Sequence, residues 1–576
     1  MDSRFLHLLE SNIAPTPLET VAIQAEVERL TSKTHPTQHD PELEATLEQY
    51  RGILSGIRQI PSEIWGEIFY FATPAVVSEW YKDDLIDLCC VCSTWYEAAL
   101  HAHGLWANIH LAPLPEGEQY IYKNLVSWLT RSGGLKKGLE YRSNVGEDCD
   151  DEDENDYGTE EGFCPCHNGG SCMWIEDPVV AKLLTQGPLL LHRVSFQNMY
   201  PRCIGNAMQS FQVAKSGSPS TRPWNQIQEL ELRMYTGWDI SWELPFRLIP
   251  PSVTSLLVCL PRYRHVFDDE LECQRAKIDV APAVLGQLTS LVLVCEWGPL
   301  HIATMLHHCR NLETLRLEFG YGFSKQALLH ELDDRDPFIR RVQVEGGIQL
   351  PKLHTLEIYD GYETPIPFLQ WIKTPALRFL DLETTGSSGT ICPNWTEALD
   401  DFVTRSGCAR SIQYLRLAKH LRSSSEESEY QRYFNEKTGP FLSSLSSLKY
   451  LTITNLPIVQ VLRTDFQNTS IEDPSNHGWL PQLQSLQFLH CWDLWPPLNF
   501  DQLLIWLRKR GRQAPCWINV EEYVKGAKLK ELEHHLRTTS ELMRTELGIS
   551  FCFSPGFDAE SAQTLKNSSL FWTRNH

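Results

Sequence analysis

The sequence lacks any membrane or export signal. No apolar run approaches the roughly 20 residues that a helix needs to span a bilayer, and the first residues, MDSRFLHLLESN, lack the basic region, apolar core and small-residue cleavage site of a signal peptide. We therefore expect no membrane partner and an intracellular location, in the cytoplasm, the nucleus or both. The 17 cysteines are an odd number, which favours free thiols in a reducing compartment over a disulfide framework.

Positive charge is also scarce. The 51 basic side chains stand against 73 acidic ones, a net charge of −22. Such a chain repels a phosphate backbone unless a local basic patch exists. The dense basic run from Arg508 to Arg512 follows the apolar stretch FDQLLIWL and is typical of the last turn of a helix, where cations are favoured. We therefore expect no nucleic-acid partner.

Catalytic signatures are missing as well. The sequence contains no Gly-x-Ser-x-Gly, no His-Glu-x-x-His, no phosphate loop and no dinucleotide fingerprint. With 42% hydrophobic and 22% charged residues over 576 positions, the composition is that of a soluble chain of two or three domains. We expect a protein that is not an enzyme and has no cofactor.

Residues 1–58 predict a helical hairpin. Two helical patterns are separated at His35 to Pro41, where Asp40 can cap the second helix and Pro41 can occupy its first position. The alternative is dimerisation through the same apolar seam, but the pattern runs for only two heptads. The seam consists of Leu43, Leu47, Tyr50, Leu54 and Ile57, facing Ile23, Val27 and Leu30.

Residues 59–110 predict three short helices that pack on one another. The segment IRQIPSEIWGEIFYFATP has apolar residues at helical spacing after Ser62, which can cap the first helix. Asp83 or Asp84 can cap a second helix, and a third runs through WYEAALH to a closing Leu-Trp pair. Short amphipathic helices of this kind bury their apolar faces against each other.

This segment resembles the F-box family, in the form found in mushroom-forming (basidiomycete) fungi. The family pattern is a Leu-Pro-x-Glu start, an Ile-Phe pair, a Leu-x-x-Val-Cys-x-x-Trp segment and a terminal Leu-Trp, and the chain has IPSE, IF, LCCVCSTW and LW in that order. Ile60 stands where the family has leucine, and Thr73 to Lys82 form a longer connection than most members have. The resemblance covers about 50 residues, counted from residues 59–110.

The resemblance implies that this module docks a ubiquitin-ligase adaptor protein. Its residues would supply the apolar contact or support it, with Glu63 at the rim. They are Ile60, Pro61, Glu63, Ile64, Ile68, Phe69, Leu85, Leu88, Val91, Trp95, Leu105 and Trp106.

Residues 111–190 predict a connecting segment with an acidic insert. Ten of the fifteen residues from 147 to 161 are acidic, a density that predicts a disordered loop. Cys164, Cys166, His167 and Cys172 follow and offer soft ligands for zinc. Their spacing departs from the two separated chelating pairs of structural zinc sites, so we predict a free-thiol loop without a metal.

Residues 191–555 predict a repeat domain. Ten copies of one pattern, apolar-x-x-apolar-x-apolar, recur at spacings of 24 to 41 residues with helix-like stretches between them. They are LHRVSF at 191, IQELEL at 227, VTSLLV at 253, LTSLVL at 288, LETLRL at 312, LHTLEI at 353, LRFLDL at 377, IQYLRL at 412, LKYLTI at 448 and LQSLQF at 483.

This domain resembles an irregular form of the leucine-rich-repeat solenoids that follow many F-boxes, with parallel strands, outer helices and a C-terminal cap. A doubly wound α/β domain is the alternative, and the absence of a Gly-rich phosphate loop favours the solenoid. The predicted fold class is thus α plus α/β, and a tail covers residues 556–576. A charged helical stretch from Glu521 to Glu546 and the strand GISFCF would build the cap.

The residue inside each final apolar triplet is expected on the concave side of the solenoid. In the four middle copies this residue is charged: Arg316, Glu357, Asp381 and Arg416. These side chains either contact a polar target protein or keep an exposed sheet soluble.

Together, the two resemblances imply the substrate-recognition subunit of an SCF-type (cullin-RING) ubiquitin ligase. The F-box would dock the adaptor and, through it, a cullin, while the solenoid would bind an unidentified target protein. The alternative is a non-ligase interaction scaffold, whose F-box binds the adaptor alone or only caps the solenoid.

Overall fold

The fold combines helices with a large parallel sheet, and the chain divides into two compact units, Met1–Tyr235 and Thr236–His576. No helix among the described residues is long and apolar enough to cross a bilayer. The computed structural model describes residues 3–11, 13–33, 40–73, 79–111, 121–142, 178–186, 189–213, 222–234, 244–260, 278–295, 299–319, 337–360, 365–386, 395–421, 441–442, 444–454, 480, 482–489, 517–522, 541, 544–545 and 549–555. The acidic insert 147–161, the cysteine-rich segment 164–172 and the tail 556–576 lie outside these ranges.

The first unit is mainly helical in its first half. Its described α-helices are α1 (Leu6–Ser11), α2 (Pro17–Thr31), α3 (Pro41–Ile53), α4 (Ser62–Ala72), α5 (Glu79–Cys90), α6 (Ser93–His101), α7 (Tyr122–Arg131), α8 (Pro178–Thr185) and α9 (Pro201–Val213). Its described strands are β1 (Asn108–Leu111), β2 (Gly138–Arg142), β3 (Arg193–Met199) and β4 (Glu229–Met234).

The segment for which a hairpin was predicted contains α2 and α3. The two helices pack on each other, and Asp40 accepts from the amides of Glu42 and Leu43 while Pro41 takes the first helical position. Ile57 does not join the seam, because α3 ends at Ile53, and its side chain is exposed. The buried residues of this cluster are Phe5, Leu8, Ile23, Leu30, Leu47, Tyr50 and Ile53.

Helices α4, α5 and α6 form the predicted three-helix module, with α6 packed against both others. The predicted caps are wrong. Pro61 is the N-cap of α4, and its carbonyl accepts from the amides of Ile64 and Trp65. Helix α5 begins at Glu79, so its predicted capping aspartates lie inside the helix and the connection after α4 is shorter than expected.

The strands of the first unit pair in the order β1-β2-β3-β4, all parallel. In β1, buried side chains alternate with half-buried ones, as the pleat of a strand requires. The 3₁₀ turn His103–Trp106 leads from α6 directly into β1. The three-helix module is thus connected to this sheet by almost no intervening chain.

The second unit contains a larger parallel sheet. Its order is β5-β6-β7-β9-β11-β12-β13-β14-β15-β16, and β8 pairs with β10 separately. The strands are β5 (Ser255–Cys259), β6 (Ser290–Cys295), β7 (Thr314–Phe319), β8 (Ile348–Gln349), β9 (Thr355–Asp360), β10 (Ile372–Lys373), β11 (Phe379–Gly386), β12 (Tyr414–Leu421), β13 (Tyr450–Thr454), β14 (Ser485–Leu489), β15 (Trp517–Glu522) and β16 (Ser550–Pro555).

Each of the ten repeated sequence patterns lies on a strand: the first two on β3 and β4, the other eight on β5, β6, β7, β9, β11, β12, β13 and β14. The backbone repeats too, since the amide of Arg378 donates to the carbonyl of His354 at 2.9 Å and the amide of Lys449 to that of Gln413 at 2.8 Å. The predicted strand GISFCF is β16, but Glu521 belongs to β15 and not to a helix. Most of the predicted helix up to Glu546 lies outside the described residues.

One face of this sheet is covered. Alternate strand residues such as Leu315, Leu317, Leu356 and Ile358 are fully buried, and each such side chain contributes about 1.5–3 kcal/mol of burial free energy. The described helices of the unit are α10 (Leu244–Arg247), α11 (Pro282–Leu285), α12 (Pro299–Leu306), α13 (Pro337–Val344), α14 (Pro365–Trp371) and α15 (Trp395–Ser406). Helix α14 packs between α12 and α15.

Candidate functional site

The three-helix module has an aromatic core. The rings of Trp65 and Phe69 on α4 stack at 5.6 Å, and Trp95 of α6 lies 4.5 Å from Trp65 and 5.1 Å from Phe69. Such ring pairs add about 0.5–1.5 kcal/mol each beyond area burial. This core holds one side of α4 in a fixed orientation.

Trp106 is part of the buried core of the module. Its indole N–H donates to the carbonyl of Ala99 at 2.7 Å, so the buried ring leaves no polar atom unpaired. Two residues of α7 cover the ring: Trp128 lies edge-on at 4.7 Å, and the guanidinium of Arg131 lies 4.7 Å from the ring centre. The predicted connecting segment therefore supplies part of the support. The helical spacing of Leu125, Trp128 and Leu129 is the sequence signal that could have revealed it.

An exposed apolar stripe runs along α4 next to its buried side. It consists of Pro61, Ile64, Ile68 and Phe71, at spacings of three, four and three residues. The side chains of Ile64, Ile68 and Phe71 are 51%, 41% and 81% exposed. Single exposed apolar residues are ordinary, whereas a row of four on one helix face marks a contact surface. We call these four residues the α4 stripe.

The twelve predicted adaptor-contact residues divide into two groups. Exposed residues that can touch a partner are Pro61, Glu63, Ile64, Ile68 and Val91. The remaining seven belong to the core or pack against it: Ile60, Phe69, Leu85, Leu88, Trp95, Leu105 and Trp106. Sequence reasoning missed the exposed Phe71, although its position continues the same spacing.

The second predicted site lies on the sheet of the second unit, on the face opposite the buried leucines. We call this the open face. Strand register places Arg316 beside Glu357, Glu357 beside Asp381, and Asp381 beside Arg416. The four predicted residues are thus brought together in one row, although the sequence separates them by as many as 100 positions.

Arg416 is held by two carboxylates. Its Nη1 lies 2.8 Å from Oδ1 of Asp381 and its Nη2 lies 2.9 Å from Oε2 of Glu383. Both pairs are largely shielded from solvent, which strengthens a charge-assisted hydrogen bond. Arg416 is therefore a structural member of the row.

Arg316 is placed less tightly. Its Nη2 lies 3.3 Å from Oε2 of Glu318, its Nε lies 3.9 Å from Oε2 of Glu357, and its guanidinium lies 4.8 Å from the ring centre of Tyr359. The hydroxyl of Tyr359 lies 3.1 Å from Oδ2 of Asp381 and 3.4 Å from Oε2 of Glu357. We call Arg316, Glu318, Glu357, Tyr359, Asp381, Glu383 and Arg416 the open-face cluster.

Burial is the largest cause of the pKa shifts of the acidic groups in this cluster. It raises the pKa of Asp381 and of Glu357, and the neighbouring guanidinium groups only partly oppose the shift. Burial and the adjacent carboxylates also raise the pKa of Tyr359, and burial raises the pKa of Tyr414 to about 12. The tyrosines therefore stay protonated at neutral pH.

The first unit has a comparable charged row that sequence reasoning missed in part. Glu140 of β2 lies in register with Ser195, and Ser195 with Glu231. Glu231 accepts from Arg193 at 2.7 Å and from Arg233 at 2.5 Å. Burial raises the pKa of Glu140, but in Glu231 these hydrogen bonds outweigh burial and the pKa is lowered.

No metal centre is defined by the part of the chain that the structure describes, where no group of three or more His, Cys, Asp or Glu side chains is placed to hold an ion. The candidate ligands Cys164, Cys166, His167 and Cys172 lie outside that part.

Comparison with known proteins gives no relative to place beside these sites. No protein-family model matches the chain, and no curated protein matches it either. The α4 stripe and the open face are therefore the features from which a function can be inferred.

Proposed function

We propose that this protein is the substrate-recognition subunit of an SCF-type ubiquitin ligase. In this proposal residues 59–110 are an F-box, the α4 stripe docks the adaptor protein, and the adaptor brings a cullin. The observation that carries the proposal is the α4 stripe, an exposed apolar row within a segment whose motifs resemble the F-box pattern. Its compartment would be the cytoplasm, the nucleus or both.

The construction of the module supports this role. An interface is strongest where apolar anchors are held rigidly, since less conformational entropy is lost on binding. Trp65 and Phe69 fix the buried side of α4, which leaves Ile64 and Ile68 projecting from a rigid helix. Glu63 and Glu67 are exposed beside the stripe and would form a polar rim.

The repeated strands would form the receptor end. We propose that they belong to an irregular leucine-rich-repeat solenoid whose open face binds the target protein. Parallel strands in chain order, one for every 24 to 41 residues across the ten repeated patterns, support this architecture. The chain would contribute no catalytic group, because holding a target lysine near a ubiquitin thioester on another protein raises its effective concentration.

Co-purification of the full-length protein with the adaptor and a cullin of a mushroom-forming fungus tests the proposal. The double variant Ile64→Asp, Ile68→Asp places two charges in the apolar contact, so adaptor recovery should fall by about tenfold or more. The matched control is Leu18→Asp on α2, whose side chain is 85% exposed and which should recover the adaptor as the wild type does. Phe69 is unsuitable for this test, because its burial makes loss of folding the first effect.

Three results are distinguishable. Recovery of adaptor and cullin by the wild type and the control, but not by the double variant, supports the ligase assignment. Recovery of the adaptor without a cullin identifies the non-ligase scaffold instead. Recovery of neither by the wild type overturns the F-box assignment.

A further inference from the structure

The open face has a carboxylate with too few hydrogen-bond donors. The side chain of Glu357 is only 12% exposed. Its nearest donors are the hydroxyl of Tyr359 at 3.4 Å and Nε of Arg316 at 3.9 Å, and the second distance is too long for a hydrogen bond. Since Tyr359 has a single hydroxyl proton and lies closer to Asp381, the proton is better placed for Asp381.

Both of these contacts are made to Oε2 of Glu357 and not to Oε1. Among the described residues, no group donates a hydrogen bond to Oε1 of Glu357. A nearly buried carboxylate that lacks donors is costly, so a donor supplied from outside would stabilise the complex. A hydrogen-bond donor on a partner therefore suits this carboxylate, and a cationic donor suits it best.

The net charge of the open-face cluster indicates which charge a partner's donor group should carry. Two guanidinium groups, of Arg316 and Arg416, face four carboxylates, which leaves a formal charge of two minus four, or −2. Arg416 is already paired with Asp381 and Glu383, so it cannot turn toward Glu357 without breaking both pairs. A cation from a partner compensates this excess, whereas an anion increases it.

An aromatic row lies along the same face. Phe379 and Tyr414 stack on neighbouring strands with ring centres 4.0 Å apart, and register continues the row through Tyr450 and Ser485 to Trp517. Tyr450 and Trp517 are 39% and 38% exposed. Half-exposed aromatic rings bind apolar side chains and the faces of guanidinium groups.

The distance between these features suits a short peptide. Tyr450 lies on β13, three strands from Glu357 on β9, which corresponds to about 14 Å at the usual strand spacing. An extended chain covers this distance with about four or five residues. One segment of a protein can therefore reach both the carboxylate and Tyr450, and about three more residues extend it over the two further strands to Trp517.

We propose that the open face of the second unit binds a basic, extended segment of a protein, in which one Lys or Arg side chain donates to Glu357 and a later side chain packs on Tyr450 and Trp517. This inference rests on the proposed function, because it names the class of target that the receptor face takes. The partner is a peptide segment rich in Lys or Arg.

Binding of two labelled peptides to the full-length protein tests the inference by fluorescence anisotropy at physiological salt. One peptide alternates Arg and Ser over ten positions, and the other alternates Glu and Ser. The wild type should bind the basic peptide alone. Glu357→Gln should weaken this binding by about tenfold, as expected for the loss of one charged hydrogen bond.

Matched variants separate the site from general attraction to an acidic chain. Glu48→Gln removes the same charge from an exposed position on α3, and its binding should stay within about twofold of the wild type. Glu318→Gln, at the more exposed edge of the cluster, should weaken binding by a smaller factor. If Glu357→Gln fails to fold, Glu318→Gln is compared with Glu48→Gln in its place. Equal effects of the substitutions at Glu48 and in the cluster, or no effect of either, overturn the inference.

The adaptor assay keeps the two proposals separate. Glu357→Gln should co-purify with the adaptor as the wild type does, and the Ile64→Asp, Ile68→Asp variant should bind the basic peptide as the wild type does. Failure of adaptor recovery by the wild type overturns the ligase assignment alone. Loss of the difference between Glu357→Gln and Glu48→Gln overturns the basic-segment inference alone.

Discussion

Glu231 and Glu357 occupy the same place in their strands, between two inward-facing residues. The charged groups around them, however, differ. Two guanidinium groups donate to Glu231, from Arg193 and Arg233. Glu357 is as firmly shielded from water but has a neighbouring carboxylate and only distant donors. Burial alone therefore does not decide whether a carboxylate stabilises the fold; the number of donors does.

Because of this contrast, replacing glutamate with glutamine should have opposite effects on stability at the two positions. Glu231→Gln should lower the stability of the protein by about 1–3 kcal/mol at pH 7, because two guanidinium groups lose their charged acceptor. Glu357→Gln should raise the thermal midpoint at pH 7, because it removes a carboxylate whose charged form burial disfavours. Thermal unfolding followed by circular dichroism measures both.

The pH dependence of both variants follows from the direction of each pKa. The pKa of Glu231 is lowered in the folded state, so its stabilisation is complete above the unfolded value near 4.5 and is lost as the pH falls through the folded value. The pKa of Glu357 is raised, so its ionisation destabilises the fold as the pH rises from 4.5 through the folded value. The effects of both substitutions on stability should therefore become smaller toward acid pH. A loss of stability in Glu357→Gln at pH 7 would contradict the raised pKa of Glu357.

At the scale of elements, the contact between α4 and α6 depends on a glycine. A Cβ atom at Gly66 would lie 3.2 Å from Cβ of Ala102 and 3.6 Å from the carbonyl oxygen of Ala98. The two helices therefore approach more closely than larger side chains allow. At Gly52, on α3, a Cβ atom would meet nothing within 4 Å.

The same substitution should consequently have different effects at the two glycines. Gly66→Leu should destabilise the module by about 1–3 kcal/mol or more, because the added side chain forces α4 away from α6. Gly52→Leu should be neutral or stabilising by up to about 1 kcal/mol, since it replaces a poor helix former in open space. Chemical denaturation gives both values, and equal destabilisation would show that the close approach is unimportant.

The sequence predicted the elements better than their ends. Helix α4 was expected because its apolar residues recur at helical spacing, but its cap was assigned to Ser62 and not to Pro61, whose carbonyl accepts the first helical bonds. The start of α5 was placed too late, because the aspartates at positions 83 and 84 are a common capping signal, whereas the helix already begins at Glu79. The sequence WANIHL, at β1, fits the repeated pattern and was overlooked, whereas β2 begins after lysines and has no leading apolar residue.

At the scale of the whole molecule, the net charge of −22 favours the approach of basic partners from any direction. This attraction acts on encounter, whereas the contact that we propose at Glu357 would act on the lifetime of the complex. The two contributions can be separated kinetically.

Raising the salt concentration from 0.05 M to 0.5 M should reduce the association rate of the basic peptide by about tenfold or more, because long-range attraction is screened. The reduction should be the same in the wild type and in Glu357→Gln, since one charge is a small part of the total. Stopped-flow measurements should show that Glu357→Gln mainly raises the dissociation rate. If Glu357→Gln changed only the association rate, Glu357 would act through the overall negative charge of the chain and not through a direct contact.

The spacing of apolar residues was enough to predict the helices around residues 60–106, apart from their ends, and the ten repeated strands, because a period of about 3.6 or 2 is a local property of the chain. It also identified the row of Arg316, Glu357, Asp381 and Arg416. The tertiary structure was needed to show that Ile64 and Ile68 are exposed while Phe69 is buried, and that Arg416 is held by close carboxylates while the hydroxyl nearest Glu357 lies 3.4 Å away. These properties depend on which side chains meet across strands and helices, and such contacts join residues that are distant in the chain.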